Sequence, residues 1–306
     1  MAGDDALPEI RPLSGSVRLR RALQELPRDG AEQRAIEAGE IDAVIDYRGA
    51  NVIMFPMARR ALRAAASRAS AARRKAALET PLANAVLAAL PRDEYLHLLP
   101  ALEFVTLEFG TVLHEAGAPI PYVYFPLDCV VCLLTTTDPE RMVETGMVGY
   151  EGIVGVSLGL GVDVASVRAV VQTAGSAMRM SAARFGRDFR RSPCLQHELY
   201  RCASAKLAQA RQTAACIASH HFEQRLACWL LMASDRSRSE DLFLTHEYLA
   251  TILNVRRVSV TMACTSLRSR ELITYVRGTI RILDRAGLEA VSCACYRSVG
   301  FPRAVA

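Results

Sequence analysis

The chain has 306 residues, 51% of them hydrophobic, and a formal net charge of +5 at pH 7. That length accommodates about two domains with a large buried core, and so mild a charge gives no whole-chain argument for a nucleic-acid partner. No apolar run reaches the roughly 18 residues of a membrane-spanning helix, so no membrane partner is expected.

The first residues, Met1 to Leu13, lack the basic-then-apolar form of a secretory signal. The nine cysteines then read as free thiols in a reducing cytoplasm, not as a disulfide framework. Residues 1–79 form an N-terminal extension. Arg18 to Leu26 fits one helix. Ile41, Val44 and Ile45, then Val52, Ile53 and Phe55, flank a turn at Tyr47 to Ala50 and predict a small hairpin. A hairpin alone is marginally stable. Met57 to Leu78 is rich in Ala and Arg and predicts a helix by propensity. A basic arm for phosphates or an acidic partner competes there with a solvated linker helix, and the linker is the simpler reading.

Residues 80–190 change character. Residues 81–102 predict two apolar helices broken at Pro91. Short β-patterned runs follow: Phe104 to Phe109, Val112–Leu113, Tyr122 to Phe125, Val130 to Leu134, Met142–Val143, Met147–Val148, Val167 to Val171 and Ala177 to Met180. Gly, Pro and Asp separate them at the spacing of a barrel or roll. Residues 191–220 predict one long helix, opened by Pro193, a residue suited to a first turn. Leu195, Cys202, Gln209 and Cys216 recur every seven residues, with Ala205 and Gln212 beside them. This small-residue stripe is the expected dimer interface.

Residues 221–300 end the chain. Phe222 to Met232 leads into a short helix capped by Thr245 and carrying Leu249, Ala250, Ile252 and Leu253. Asn254 falls where a left-handed turn is needed. A second helix with Val260, Ala263, Cys264 and Leu267 inward comes next, then a hairpin around Arg277–Gly278. Helix, turn, helix and hairpin, with Arg256, Arg257, Arg268, Arg270, Arg277, Arg281 and Arg285 at the exposed joints, point to a winged helix-turn-helix that binds DNA. The fold class is therefore α+β: a jelly-roll-like β-roll, a long dimerisation helix and a C-terminal winged helix-turn-helix.

This order resembles the Crp/Fnr family of bacterial transcription regulators. YFPLDCVVCLL (residues 124–134), VGYEGIVGVSLGLG (148–161), SVRAVVQTAGSAMRM (166–180) and LATILNVRRVSVT (249–261) are similar in form and order to one subgroup of it. The resemblance covers about Thr80 to Tyr296 and says nothing of residues 1–79. It implies a cyclic-nucleotide-binding-like sensory roll, a homodimer, double-stranded DNA with a palindromic operator, and RNA polymerase as a further partner. The small-molecule effector and the sign of regulation stay open. A sensory or scaffold protein, with the roll binding a partner and a vestigial helix-turn-helix, is the alternative.

The family's cyclic-AMP-binding members carry a Gly-Glu pair and an Arg-Ser pair. The corresponding effector-pocket residues here are Glu151, Gly152, Asp163, Val164 and Arg168. Asp163–Val164 at the Arg-Ser position reverses the charge, so cyclic AMP is not the expected effector. Gly146, Gly149, Gly152, Gly155, Gly159 and Gly161 could cradle a ligand with backbone N–H groups or could simply make tight turns. The family's iron–sulfur route needs cysteines that the region before Cys129 lacks. Cys129 and Cys132 sit at an odd offset that sends strand side chains to opposite faces. Cys293 and Cys295 have no evident His or Cys partner in the nearby sequence, and His220–His221 suits a helix C-terminus. No metal, cofactor or catalytic constellation is expected. In the DNA reading, Arg257, Val258, Thr261 and Met262 read bases, while Arg256, Ser259, Arg277 and Thr279 meet phosphates.

Overall fold

The computed structural model describes residues 83–298, except 139–140 and 277, together with the strands β1 (Ala43–Asp46) and β2 (Asn51–Met54). Those two strands pair antiparallel, Ile45 opposite Val52, as the alternation predicts. The expected helices at 18–26 and 57–78 lie outside the described residues.

Two short helices open the roll, α1 (Ala85–Ala88) and α2 (Arg92–Leu98), separated at Pro91. Asn84 is fully buried and fully bonded. Its Oδ1 caps α1 by accepting from Val86 N and Leu87 N, and its Nδ2 donates to Pro126 O and Gly152 O, both at 2.9 Å. A buried amide satisfied on all sides fixes the register of everything it touches.

The roll has two antiparallel sheets. One runs in the order β3 (Glu103–Leu107), β9 (Gly175–Ser181), β5 (Tyr122–Pro126). The other runs β4 (Val112–His114), β8 (Arg168–Thr173), β6 (Val130–Asp138), β7 (Arg141–Val148). Leu107, Tyr124, Cys129, Val131, Val171 and Ala177 pack between them. The two runs expected at Met142–Val143 and Met147–Val148 are one strand, because β6 supplies a continuous partner with a register shift at Leu133/Leu134.

Helix α3 (Ala182–Phe189) leads to α4 (Pro193–Ser219), 27 residues long, capped by Ser192 with Pro193 in its first turn. At 1.5 Å per residue it spans about 40 Å. Helix α5 (Phe222–Ser237) follows after the break at His220–His221. Then come β10 (Asp241–Phe243), α6 (His246–Ile252), α7 (Arg257–Ser269), β11 (Ile273–Val276), β12 (Thr279–Ile282), α8 (Arg285–Val291) and α9 (Cys295–Ser298). β10 is an additional strand: it pairs with β12 and widens the expected two-stranded wing to three strands. Among the described residues no helix is long and apolar enough to cross a membrane.

The glycine-rich run makes turns and close approaches. Gly155 and Gly161 are left-handed, at φ +92° and +85°. A Cβ on Gly149 would fall 2.6 Å from Arg236 Cβ, and its own N–H donates to Glu151 Oε2 at 3.0 Å. The roll and α5 can therefore meet only because residue 149 has no side chain. Gly149→Ala is expected to push α5 off the roll at a cost of about 1–3 kcal/mol. A denaturant midpoint unchanged from the parent would contradict that reading.

Candidate nucleic-acid interface

Helices α6 and α7 are set by local chemistry. Thr245 Oγ1 accepts from Tyr248 N at 3.0 Å and caps α6. Asn254 takes φ +50°, the left-handed turn that the sequence calls for. Val260, Ala263, Cys264 and Leu267 then face inward along α7, and the larger of these contribute roughly 1.5–3 kcal/mol each by burial. The opposite face stays in water. Arg256, Arg257, Val258, Thr261 and Met262 are all exposed, with Val258 at 66% and Met262 at 68%. Ser259 is half-buried, as is Thr279 on the wing, and Arg277 lies outside the described residues.

Arg257 Nε stands 3.6 Å from Glu247 Oε2, with its own side chain 65% exposed. Such a surface pair is worth about 0.2–1 kcal/mol, so it can be exchanged for a stronger partner. Thr261 is tied down more firmly. Its hydroxyl donates to Arg257 O and lies 3.1 Å from His246 Nδ1. His246 in turn stacks on Tyr275 of the wing, ring centroids 4.3 Å apart. This bracket of α6, α7 and β11 is missing from the sequence reading, since nothing in the spacing links residues 246, 261 and 275.

The proposed dimer stripe is corrected. Leu195, Gln209 and Cys216 are buried against their own chain, and Cys202 packs on the roll core. Gln212 donates to Cys295 Sγ, and within this stripe Ala205 is exposed. The seven-residue repeat was real, but it follows the seat of α4 on its own domain. A second repeat faces outward: Tyr200, Ala203, Leu207, Ala210, Ala214 and Ile217, with Tyr200 and Leu207 at 52% and Ile217 at 50% exposure.

The effector constellation is also not assembled. Glu151 Oε1 lies 2.9 Å from Arg236 Nε and 3.8 Å from Lys206 Nζ, so it holds α5 and α4. Burial raises its pKa, but those two cations outweigh burial and keep it below the usual carboxylate range. Gly152 is a backbone acceptor for Asn84. Asp163 and Val164 are exposed beside the Pro119–Ile120 segment. Arg168 is buried and pairs with Glu115 at 3.1 Å. The five residues have separate partners: Glu151 in the turn after β7 is held by α5, while Arg168 on β8 is held by Glu115.

A different polar group joins the halves. Trp229 Nε1 donates to Glu144 Oε1 at 2.9 Å, and Cys132 Sγ lies 2.9 Å from both Glu144 Oε2 and Gln172 Oε1. Tyr248 of α6 packs in the same core. Burial pushes Glu144 up to about 7, against the pull of Cys132, Trp229, Arg236 and Lys206. A thiol has one proton, so Cys132 donates to only one of these two acceptors at a time. Beside this seam lies a cavity of about 70 Å³ lined by Gly146, Gln209, Cys228, Trp229, Met232 and Leu253, among others.

The comparisons agree with this geometry. Residues 224–291 match the model of the Crp-like helix-turn-helix domain. Among solved structures, a putative Crp/Fnr-family regulator from Eubacterium rectale superposes with TM-score 0.52 at 16% identity, over 66% of this chain and 94% of that one. The chain has the Crp/Fnr regulator fold. FixK2 of Bradyrhizobium japonicum matches with TM-score 0.54 at 13% identity, over 63% and 98% of the two chains. A Crp/Fnr-family regulator of Thermus thermophilus matches with 0.51 at 22%, over 62% and 98%. No curated protein sequence matches the chain. As in the sequence reading, Cys129 and Cys132 do not come together: they fall in different core clusters.

Trp229 is the chain's single tryptophan, so it reports on Glu144 directly. The Glu144 pKa of about 7 lies above its ordinary value. The folded state therefore binds more protons than the unfolded one between those two values, and stability falls as pH rises through about 7. Trp229 emission should titrate with a midpoint near 7 and Glu144→Gln should remove the transition. An identical titration in Glu144→Gln would disprove the assignment.

Proposed function

We propose that this chain is a homodimeric, DNA-binding transcription regulator of the Crp/Fnr type. The observation that carries the reading is the exposed face of α7. Two large apolar side chains, Val258 and Met262, stand in water between Arg256, Arg257 and Thr261. A folded domain leaves such a face open when a partner covers it, and the start of the second helix is what enters a major groove. Arg257 is suited to the guanine O6/N7 edge and Val258 and Met262 to thymine methyls. Arg256, Ser259, Arg277 and Thr279 are assigned to phosphates.

Two copies would pair along the outward face of α4. Tyr200, Leu207 and Ala214 alternate with Ala203, Ala210 and Ile217 at steps of three and four, the a/d pattern of a coiled coil. This replaces the inward stripe of Leu195, Cys202, Gln209 and Cys216. RNA polymerase and a small-molecule effector are the remaining partners in this reading.

Two experiments test it. In sedimentation, Leu207→Glu should give a monomer and Ala205→Glu a dimer; the reverse result removes this seam. In selection of bound DNA fragments, Arg257→Ala should relax one position of the motif, worth about 1–3 kcal/mol. Arg256→Ala should weaken all sequences alike and lower the salt slope by about one. Retention on DNA without salt dependence would favour a scaffold with a vestigial helix-turn-helix.

A further inference from the structure

Four metal-ligating side chains converge where α4 ends. Cys216 lies in the last turns of α4, and His220 is its C-cap, four residues on and over the same face. Cys293 comes from the segment joining α8 to α9, and Cys295 is the first residue of α9. One ligand atom from each lies within 4.8 Å of all the others. Cys216 Sγ is 3.5 Å from Cys293 Sγ, and Cys295 Sγ is 3.5 Å from His220 Nδ1. A tetrahedral zinc ion, with Zn–S about 2.3 Å and Zn–N about 2.0–2.1 Å, sets its ligand atoms about 3.5–3.8 Å apart. The three sulfurs are buried and the histidine is half-buried.

We propose that Cys216, His220, Cys293 and Cys295 form a Cys₃His site for one zinc ion. Binding is an exchange of protons for metal. Each of the three thiols releases a proton to solvent, neutral His220 donates a ring-nitrogen lone pair, and no electron is transferred. Gln212 Nε2 donates to Cys295 Sγ at 3.0 Å, the kind of outer contact that orients a thiolate ligand. Without a metal, burial first and the neighbouring Cys293 and Cys295 next raise the Cys216 thiol. Of the other buried thiols, Cys129, Cys132 and Cys264 lie in other hydrophobic clusters, as small hydrophobes do, while Cys228 packs beside the proposed ligands. Ligand atoms this close enclose one ion and leave no room for a multi-iron cluster. A Cys216–Cys293 disulfide would use two of the four groups, need an external oxidant and leave Cys295 and His220 without a role.

The site would be a second tether at the hinge. The chain passes from α4 to α5 through His220–His221, and the metal would add a link from that point to the far end of the winged-helix unit. It would fix the angle of that unit on α4.

The full chain, purified under reducing conditions without chelator, should contain one zinc per protomer by elemental analysis. Cobalt titrated into the zinc-free protein should give thiolate-to-cobalt charge transfer and the intense visible bands of a tetrahedral site. Cys293→Ser and Cys295→Ser should lower metal affinity by roughly a hundredfold or more, and Gln212→Ala by about tenfold. Cys129→Ser, distant from the site, should leave the spectrum unchanged. Absence of both zinc and the tetrahedral cobalt spectrum in the parent protein overturns the site, whatever the variants do. So does tetrahedral metal retained by Cys216→Ser/Cys293→Ser. None of these readouts depends on DNA binding, so the site and the DNA reading can fail separately.

Discussion

A half-buried carboxyl group at the junction of roll and winged helix organises this molecule. Glu144 accepts from Trp229 on α5 and meets Cys132 of the roll, while Tyr248 on α6 packs beside them. Partial burial disfavours the charged carboxylate there and raises its pKa to about 7, while the Cys132 and Trp229 donors work in the opposite direction. One hydrophobic cluster consequently runs without a break from Val130 and Met147 of the sheet through Leu230 of α5 to Leu267 and Ile280 of the winged helix. The two functional halves share a core, so a change at the seam reaches both.

The second support of that junction is an ion pair that only a glycine permits. Arg236 is 3% exposed and reaches Glu151 across the position where any other residue at 149 would carry a side chain. Lys206 of α4 lies on the same carboxylate, and burial lowers it to about 8. Removing one partner of such a pair strands a buried charge and typically costs about 3–5 kcal/mol. α4 therefore has two distinct duties around its circumference. The side with Leu195, Leu199, Gln209 and Cys216 is spent on its own chain, and the outward side with Tyr200, Leu207 and Ile217 remains open.

The end of α4 concentrates the chain's polarizable side chains. Cys216, Cys228, Cys293 and Cys295 form a cluster of their own, with Met232 and Tyr296 against it. It lies under the hinge and next to the cavity that Gln209 and Trp229 also line. Events at the thiols, in the cavity and at Glu144 would thus act on the same few turns of α4 and α5.

Local signals by themselves determined the order of elements. Thr245 as a cap, Asn254 as the left-handed turn, Pro193 as a helix start and the inward face of α7 are short-range chemistry, and each is legible from a few neighbouring residues. The exposed face at Arg257, Val258 and Met262 follows from the same periodicity. Tertiary structure alone decided which of two heptad faces of α4 turns inward, because both carry small and apolar residues and packing on the roll, where Leu199 sits over Gly159, selects between them. It also decided that Glu151 meets Arg236 and not a ligand, and that Cys216 and His220 meet Cys293 and Cys295. Those partners are separated by more than seventy residues of sequence, and local spacing cannot encode a contact that chain reversal through two domains creates.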